Sequence, residues 1–254
     1  MSSVPPTTGF PSGGFTGFPP EGLKFLQDLQ HSNRREWFTS HKELYTSCVK
    51  HPARALVADL GERVAAEFPP AASDLRGNGG SLMRINRDVR FSQDKSPYKT
   101  SVAIMFTLPG MKKMATPGFG IQITVERVEF VVGQFSFWPE ELTRYRAAVA
   151  DERRGVLLEQ AVAEVEQAAA AAAASEGSAV DVSLGGQELK RVPRAYAPDH
   201  PRARWLRHKG LVVFPGTLPH SRALGPELID AALQRFRIGA PVWRWLVDHV
   251  TFAH

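Results

Sequence analysis

Hydrophobic residues in the first third of the chain recur every three to four positions, which is the spacing of helices. The pattern predicts one helix directly after Pro19-Pro20 and another that begins at Pro52 and carries Leu56, Leu60 and Val64. Between them, a helix over about residues 34–50 is predicted to place one set of side chains on a single face: Trp37, His41, Leu44, Tyr45 and Cys48.

The middle of the chain instead alternates polar and apolar residues with the period of a strand. This alternation predicts strands over residues 81–86 and 98–106, and a third around residues 121–125. The run EFVVGQFSFW (129–138) predicts a strand that is apolar on both faces and therefore central. Because few residues separate the last two strands, we expect them to form an antiparallel hairpin.

Helical patterns return at Pro139 and again from residue 153, where the pattern ends in seven alanines, 168–174. This tract is predicted to be a long exposed helix or, alternatively, a low-complexity insertion. A short strand, a basic helix ended by Gly210, another strand and two final helices, 226–237 and 241–249, complete the prediction. Helices, sheet and helices in this order indicate an α+β fold with a largely antiparallel central sheet and N-terminal and C-terminal helices packed on it. We predict one domain over residues 17–254, with residues 1–16, rich in Pro, Gly, Ser and Thr, as a disordered or loosely attached tail.

The composition is that of an ordinary globular protein. The single cysteine, Cys48, excludes an internal disulfide and a Cys-based zinc site, and fits a cytoplasmic location. No run of apolar residues predicts a membrane span, and no signal peptide is recognised, so we expect no membrane partner. The net charge of +5 is concentrated in two stretches, residues 84–100 (+3) and 190–209 (+6).

Common catalytic motifs are missing from the sequence. It contains no dinucleotide-binding or phosphate-loop glycine pattern, no HExxH and no GxSxG, so no cofactor is predicted. His200 and His208 are candidates for proton transfer, although a surface or packing role is favoured for both. No metal is predicted, and a magnesium ion that bridges a phosphate ligand and Asp88 or Asp94 is left as an alternative.

The densest polar stretch, RINRDVRFSQDKSPYKT (84–100), is the candidate functional site. Its charges lie between two strands that are predicted to be buried, where unpaired charge is costly. The planar guanidinium of arginine suits carboxylate and phosphate groups, and several hydroxyl groups accompany it. A structural network of Arg–Asp ion pairs is the alternative reading of the same residues.

Roles follow from the residue types of this candidate site. We predict that Asp88 or Asp94 orients the arginines or acts as a base, and that Tyr98 donates a proton. Basic and hydroxyl side chains are predicted to bind the ligand: Arg84, Arg87, Arg90, Lys95, Ser96, Lys99, Arg35, Lys190 and Arg191.

The motif RDxRFSxDKSPYKT (87–100) resembles the signature of a family of conserved hypothetical proteins in bacteria and fungi, a domain of unknown function. FLQDLQHSNRREWF (25–38) and GGQELKRVPRAYAPDHPRARWLRHKGL (185–211) resemble two further blocks of that family, and the resemblance covers roughly residues 18–250. It implies a shared site to which the polar blocks near 33–37, 84–99 and 190–209 all contribute. It implies no reaction, so whether the protein is an enzyme stays open.

Three functions remain as hypotheses at this point. The first is a basic cleft that binds a phosphorylated or carboxylated small molecule, with or without catalysis. The second is nucleic-acid binding, because PRARWLRHKG (201–210) places Trp205 among basic residues that would contact phosphates. The third is a non-catalytic interaction module. The oligomeric state is not predicted.

Overall fold

The computed structural model describes residues 14–77, 79–111, 116–177 and 179–252. Its N-terminal part consists of α1 (Pro20–His31), α2 (Arg35–Ser40), α3 (Lys42–Tyr45), a π-helical turn (Thr46–Lys50) and α4 (His51–Glu67). The single helix predicted for residues 34–50 is therefore wrong. It is broken at His41, and its second part continues through the π turn into α4, with Pro52 in the first turn of α4.

Six strands form one sheet: β1 (Val102–Phe106), β2 (Gly118–Ile123), β3 (Arg127–Gln134), β4 (Val182–Gln187), β5 (His208–Pro215) and β6 (Thr217–Pro219). The strand order is β1-β2-β3-β5-β4, and the short β6 pairs with β3. Each of these pairings is antiparallel. The hairpin of β2 and β3 and the inner position of β3 are as predicted, and the α+β class with a largely antiparallel sheet is confirmed.

The predicted strand over residues 81–86 is not formed. Its backbone makes only isolated bridges, at Leu82 to Ile104 and at Asn86 to Tyr98. The second predicted strand begins at Val102 rather than at Tyr98. The candidate site therefore lies in an irregular segment beside the edge strand β1, and not between two buried strands.

The C-terminal half contains α5 (Pro139–Ala150), α6 (Glu152–Glu176), α7 (Ala203–Leu206), a 3₁₀ turn (His220–Leu224), α8 (Leu228–Leu246) and a π turn (Val247–Thr251). The alanine tract lies in the continuous helix α6, as one of the two predictions had it. The prediction of two separate final helices is wrong, because α8 passes through Pro241 without a break. Both faces of α8 are buried, and this burial offsets the local cost of an interior proline, about 3 kcal/mol. The basic helix ends at Leu206, and Gly210 lies inside β5.

Two hydrophobic clusters meet at α8. The first joins α1, α4 and the strands β1 to β3 through residues such as Phe25, Leu60 and Phe119. The second joins α5, α6 and β5, and Val165 and Val213 belong to it. Phe15, which was predicted to lie in the tail, is buried in the first cluster, whereas residues 1–13 of that tail lie outside the described part of the chain.

The two faces of the sheet differ in burial. The helices pack on the face that carries Ile104, Phe119 and Phe130, all of which are buried. On the opposite face, Ala103, Met105, Val131 and Phe214 are only partly buried or exposed; we call this the open face. Within the described residues, no helix is long and apolar enough to cross a membrane.

Candidate functional site

Residues 84–100 form an irregular hairpin whose two arms are joined by backbone hydrogen bonds. The Arg87 N–H donates to the Pro97 carbonyl at 2.9 Å, and the Lys99 N–H donates to the Ile85 carbonyl at 2.8 Å. The charged tip between these arms, residues 88–96, is largely exposed. The charges of the tip therefore do not bear the cost of burial on which their predicted functional role was based.

The acidic residues of the segment pair with its arginines. Arg87 forms an ion pair with Asp94, and Arg90 Nη2 lies 2.7 Å from Asp88 Oδ2. Hydrogen bonds from Arg90 lower the pKa of Asp88 to about 2, and hydrogen bonds from Ser96 and then Arg87 lower the pKa of Asp94. Both carboxylates are thus weak bases at neutral pH, and orienting the arginines is the role that the geometry favours for them.

Asn33 fastens this hairpin to the turn between α1 and α2. Its Nδ2 donates to the Tyr98 carbonyl at 2.9 Å, and the Tyr98 N–H donates to Asn33 Oδ1 at 3.1 Å. The side chain thus replaces a strand partner at the point where β1 has not yet begun. The asparagine block and the charged block, which the resemblance joins into one site, are in contact here.

The ring of Tyr98 belongs to the core. It stacks on Phe38 with 4.1 Å between ring centroids, and only 9% of the residue is exposed. Tyr98 contributes to the wall of the site, but this packing does not favour the predicted role of proton donor.

A polar cleft of about 420 Å³ lies between the hairpin and the α1–α2 turn. Its lining combines amide, hydroxyl, carboxylate and cationic groups: Gln30, Asn33, Arg87, Asp94, Ser96, Tyr98, Lys99, Thr100 and Ser101. Three of the predicted ligand-binding residues, Arg87, Ser96 and Lys99, come together here. Gln30 was not predicted, and Asn33 was joined to the site only by the resemblance, since only the fold brings the end of α1 beside residues 87–101.

Lys99 has an unusual setting in this cleft. Burial, and next the positive charge of Arg84, lower the pKa of Lys99 below its ordinary value. Among the residues that the structure describes, neither Lys99 nor Arg84 has a carboxylate within ion-pair distance. After the internal Arg–Asp pairs are formed, Lys99 thus remains a cation of the cleft lining without a carboxylate partner, and Arg84, which also interacts with Asp88, lies beside it.

The remaining predicted residues are not among those that line this cleft. Lys95 Nζ donates to the Val89 carbonyl at 3.0 Å in the hairpin tip, and Arg35 is exposed at the start of α2. Lys190 and Arg191 are exposed in the segment that joins β4 to β5, at the sheet edge opposite β1. Four strand spacings separate these edges, or about 19 Å.

The basic stretch 201–210 is held by packing. Trp205 is 4% exposed within the second hydrophobic cluster, so its ring is not available to stack on a base. His208 is buried with Nδ1 3.2 Å from the Gly210 carbonyl, and burial lowers the pKa of His208. His200 Nδ1 accepts a hydrogen bond from the Arg202 N–H at 3.0 Å. Both histidines serve local structure, as the sequence analysis favoured.

The described part of the chain contains no group of three or more His, Cys, Asp or Glu side chains arranged to hold a metal ion. The polar cleft itself has a single carboxylate, Asp94, and this carboxylate is already paired with Arg87. The donor set thus suits an anion better than a hard cation.

Comparison with known proteins gives one result that bears on identity. No curated protein matches the chain. The family model described as "Conserved hypothetical protein (DUF2461)" matches residues 21–245, a range that includes the asparagine turn, the charged hairpin, the sheet and most of α8. The chain therefore belongs to the DUF2461 family of conserved hypothetical proteins.

Proposed function

We propose that the protein binds a phosphorylated or carboxylated small molecule in the polar cleft. Arg87, Ser96 and Lys99 would contact the anionic group, and Asp94 would hold the Arg87 guanidinium in place. Asn33 would fix the hairpin against the α1–α2 turn. The proposal concerns binding and names no reaction, because the carboxylates of the segment are weak bases.

The observation that carries this proposal is the half-buried Lys99 at the wall of a cleft. The positive charges of Lys99 and Arg84 repel each other. Burial, and next the charge of Arg84, lower the pKa of Lys99. A bound anion would relieve both costs, since it supplies the missing negative charge at this point. The cleft volume of about 420 Å³ also lies within the range of small-molecule sites.

The experiment compares two lysines of one hairpin. Lys99→Met removes the cation in the cleft, and Lys95→Met removes a cation from the tip, which does not line the cleft. We expect Lys99→Met to weaken the binding of inorganic phosphate about 10- to 100-fold, the usual worth of a charged hydrogen bond. Lys95→Met should change the affinity less than about threefold, because solvent screens the interactions of an exposed charge. Isothermal calorimetry measures both values, and equal losses in the two variants would contradict the proposal.

The affinity for sulfate should depend on pH through Lys99. A lysine attracts an anion below its pKa, and the pKa of Lys99 is lowered from 10.5. Affinity is therefore expected to be full at neutral pH and to fall as the pH rises through the lowered pKa, below 10.5. The other charged groups that face Lys99 are Arg84, Arg87 and Asp94. Calorimetry from pH 7 to 10.5 tests this, and the same fall in Lys99→Met would show that another group is responsible.

A further inference from the structure

A second, larger cleft adjoins the polar cleft. It has a volume of about 590 Å³ and crosses the open face of the sheet from β1 to β4. Its lining is mainly apolar: Met83, Ala103, Met105, Val131, Phe135 and Phe214. Volume and composition are in the range of small-molecule sites.

Two features show that the clefts adjoin each other. Lys99 lines both of them. Gln122, from the larger cleft, donates through Nε2 to the Ser101 hydroxyl of the polar cleft at 3.1 Å. The uncompensated cation therefore lies at the junction, with polar groups on one side and apolar groups on the other.

The floor of the larger cleft is apolar. The side chains of Met105 and Val131 close over Gly120, where a Cβ would lie 2.5 Å from Met105 Sδ and 2.6 Å from Val131 Cγ1. The flexible thioethers of Met83 and Met105 can adapt to apolar shapes. Farther along the face, the rings of Phe135 and Phe214 lie 6.3 Å apart and are 44% and 38% exposed.

Besides Lys99, the charges that line this face are one ion pair and one carboxylate. Arg127 and Glu129 neutralise each other, with Nε and Oε1 2.7 Å apart. Asp181 is exposed next to β4, at the end of the cleft away from Lys99. A ligand with one negative end and an uncharged body would thus match the face in one direction only, with its charge at Lys99.

We propose that the two clefts form one site for an amphipathic anion, in which a carboxylate or phosphate head binds at Lys99, Arg87 and Ser96 and an apolar body lies across the open face. The inference rests on the anion site proposed above and adds the chemistry of the rest of the ligand. The larger cleft extends across the open face from β1 to β4, which is a distance of four strand spacings. The apolar part of a ligand could therefore be about 19 Å long.

Calorimetry with a set of simple probes tests the inference: sulfate, hexanoate, decanoate and the neutral 1-decanol. Full burial of a methylene is worth about fourfold in affinity, and an open face that covers one side should give about twofold. Decanoate should therefore bind about 16-fold more tightly than hexanoate, from its four extra methylenes. Lys99→Met should weaken both acids about tenfold or more, and 1-decanol should bind the native protein about tenfold or more weakly than decanoate.

A filling variant isolates the apolar part. Ala103→Phe places a ring on the floor of the larger cleft, whereas Ala163→Phe places one on the exposed side of α6. We expect Ala103→Phe to make hexanoate and decanoate bind equally and to leave sulfate binding intact. Ala163→Phe should change neither. Denaturant midpoints close to that of the native protein show that both variants are folded.

The outcomes separate this inference from the proposed function. Sulfate binding that depends on Lys99, with equal affinities for hexanoate and decanoate, would refute the joint site and leave the anion site standing. Failure of sulfate and both acids to bind would refute both. Binding of 1-decanol as tight as that of decanoate would refute the role of the charged head. A dimer in light scattering that Ala103→Phe dissociates would assign the open face to a second copy of the chain, and would also overturn the inference.

Discussion

Phe119→Ala is expected to lower the free energy of unfolding by about 3–5 kcal/mol, the range for a large aromatic residue removed from a core. Phe119 is fully buried on the helix-packed face of β2. Its ring centroid lies 4.7 Å from that of Phe68, 4.8 Å from Trp243 and 5.2 Å from Phe236. These contacts join the sheet to α8 and to the end of α4, so the cavity cannot be closed by movement of a single side chain.

Phe135→Ala is the matched control for this prediction. Phe135 follows β3 on the open face and is 44% exposed, so its truncation should cost less than about 1 kcal/mol. Denaturant unfolding followed by tryptophan fluorescence measures both variants. A loss at Phe135 as large as that at Phe119 would mean that the open face is covered in solution, and would contradict the asymmetry of the sheet on which the larger cleft depends.

The hydrophobic pattern correctly predicted those helices and strands in which each face keeps the same environment from one end to the other. The helix from Pro20, the β2–β3 hairpin and the helix after Pro139 belong to this class. The pattern failed where tertiary contacts outweigh local preference. Residues 81–86 alternate like a strand but lack a continuous partner, and α8 continues through Pro241 because both of its faces are buried.

The location of the candidate site was visible in the sequence as a dense cluster of charge. The sequence did not show which of these charges lack an ion-pair partner, because this depends on pairing within the hairpin. Arg87 and Arg90 are neutralised by aspartates that lie two to seven residues away, whereas Lys99 is left without one. Whether Lys190 and Arg191 lie near the hairpin also depends on the fold. The sheet order places these two residues at the far edge, away from the hairpin.

The second basic stretch differs from the hairpin tip because it contains a buried arginine. Replacement of this arginine is the other change for which we expect a large loss of stability. Arg202→Met should lower the free energy of unfolding by about 2–4 kcal/mol, because it leaves buried carbonyl groups without a donor. Arg202 is buried, and its Nε donates to the Val149 carbonyl at 2.7 Å. Its Nη2 donates to the Ala150 and Asp151 carbonyls at 3.4 and 3.2 Å. The guanidinium thus satisfies the C-terminal carbonyls of α5 and lies at the negative end of the helix dipole.

Arg204 provides the matched control, two residues along the same stretch. It is exposed and lies over the Trp205 ring at 4.2 Å, so Arg204→Met should cost about 0.5–1 kcal/mol. Gly155 supports the distinction, since a Cβ at that position would lie 2.2 Å from Arg202 Nε; the first turn of α6 therefore leaves room for this guanidinium. If both variants unfold at the native denaturant concentration, Arg202 is not a structural cap, and its charge would again be available to a phosphate backbone. A loss confined to Arg202→Met would instead assign the buried arginine of this stretch to the fold, and would remove its charge from those available to a ligand.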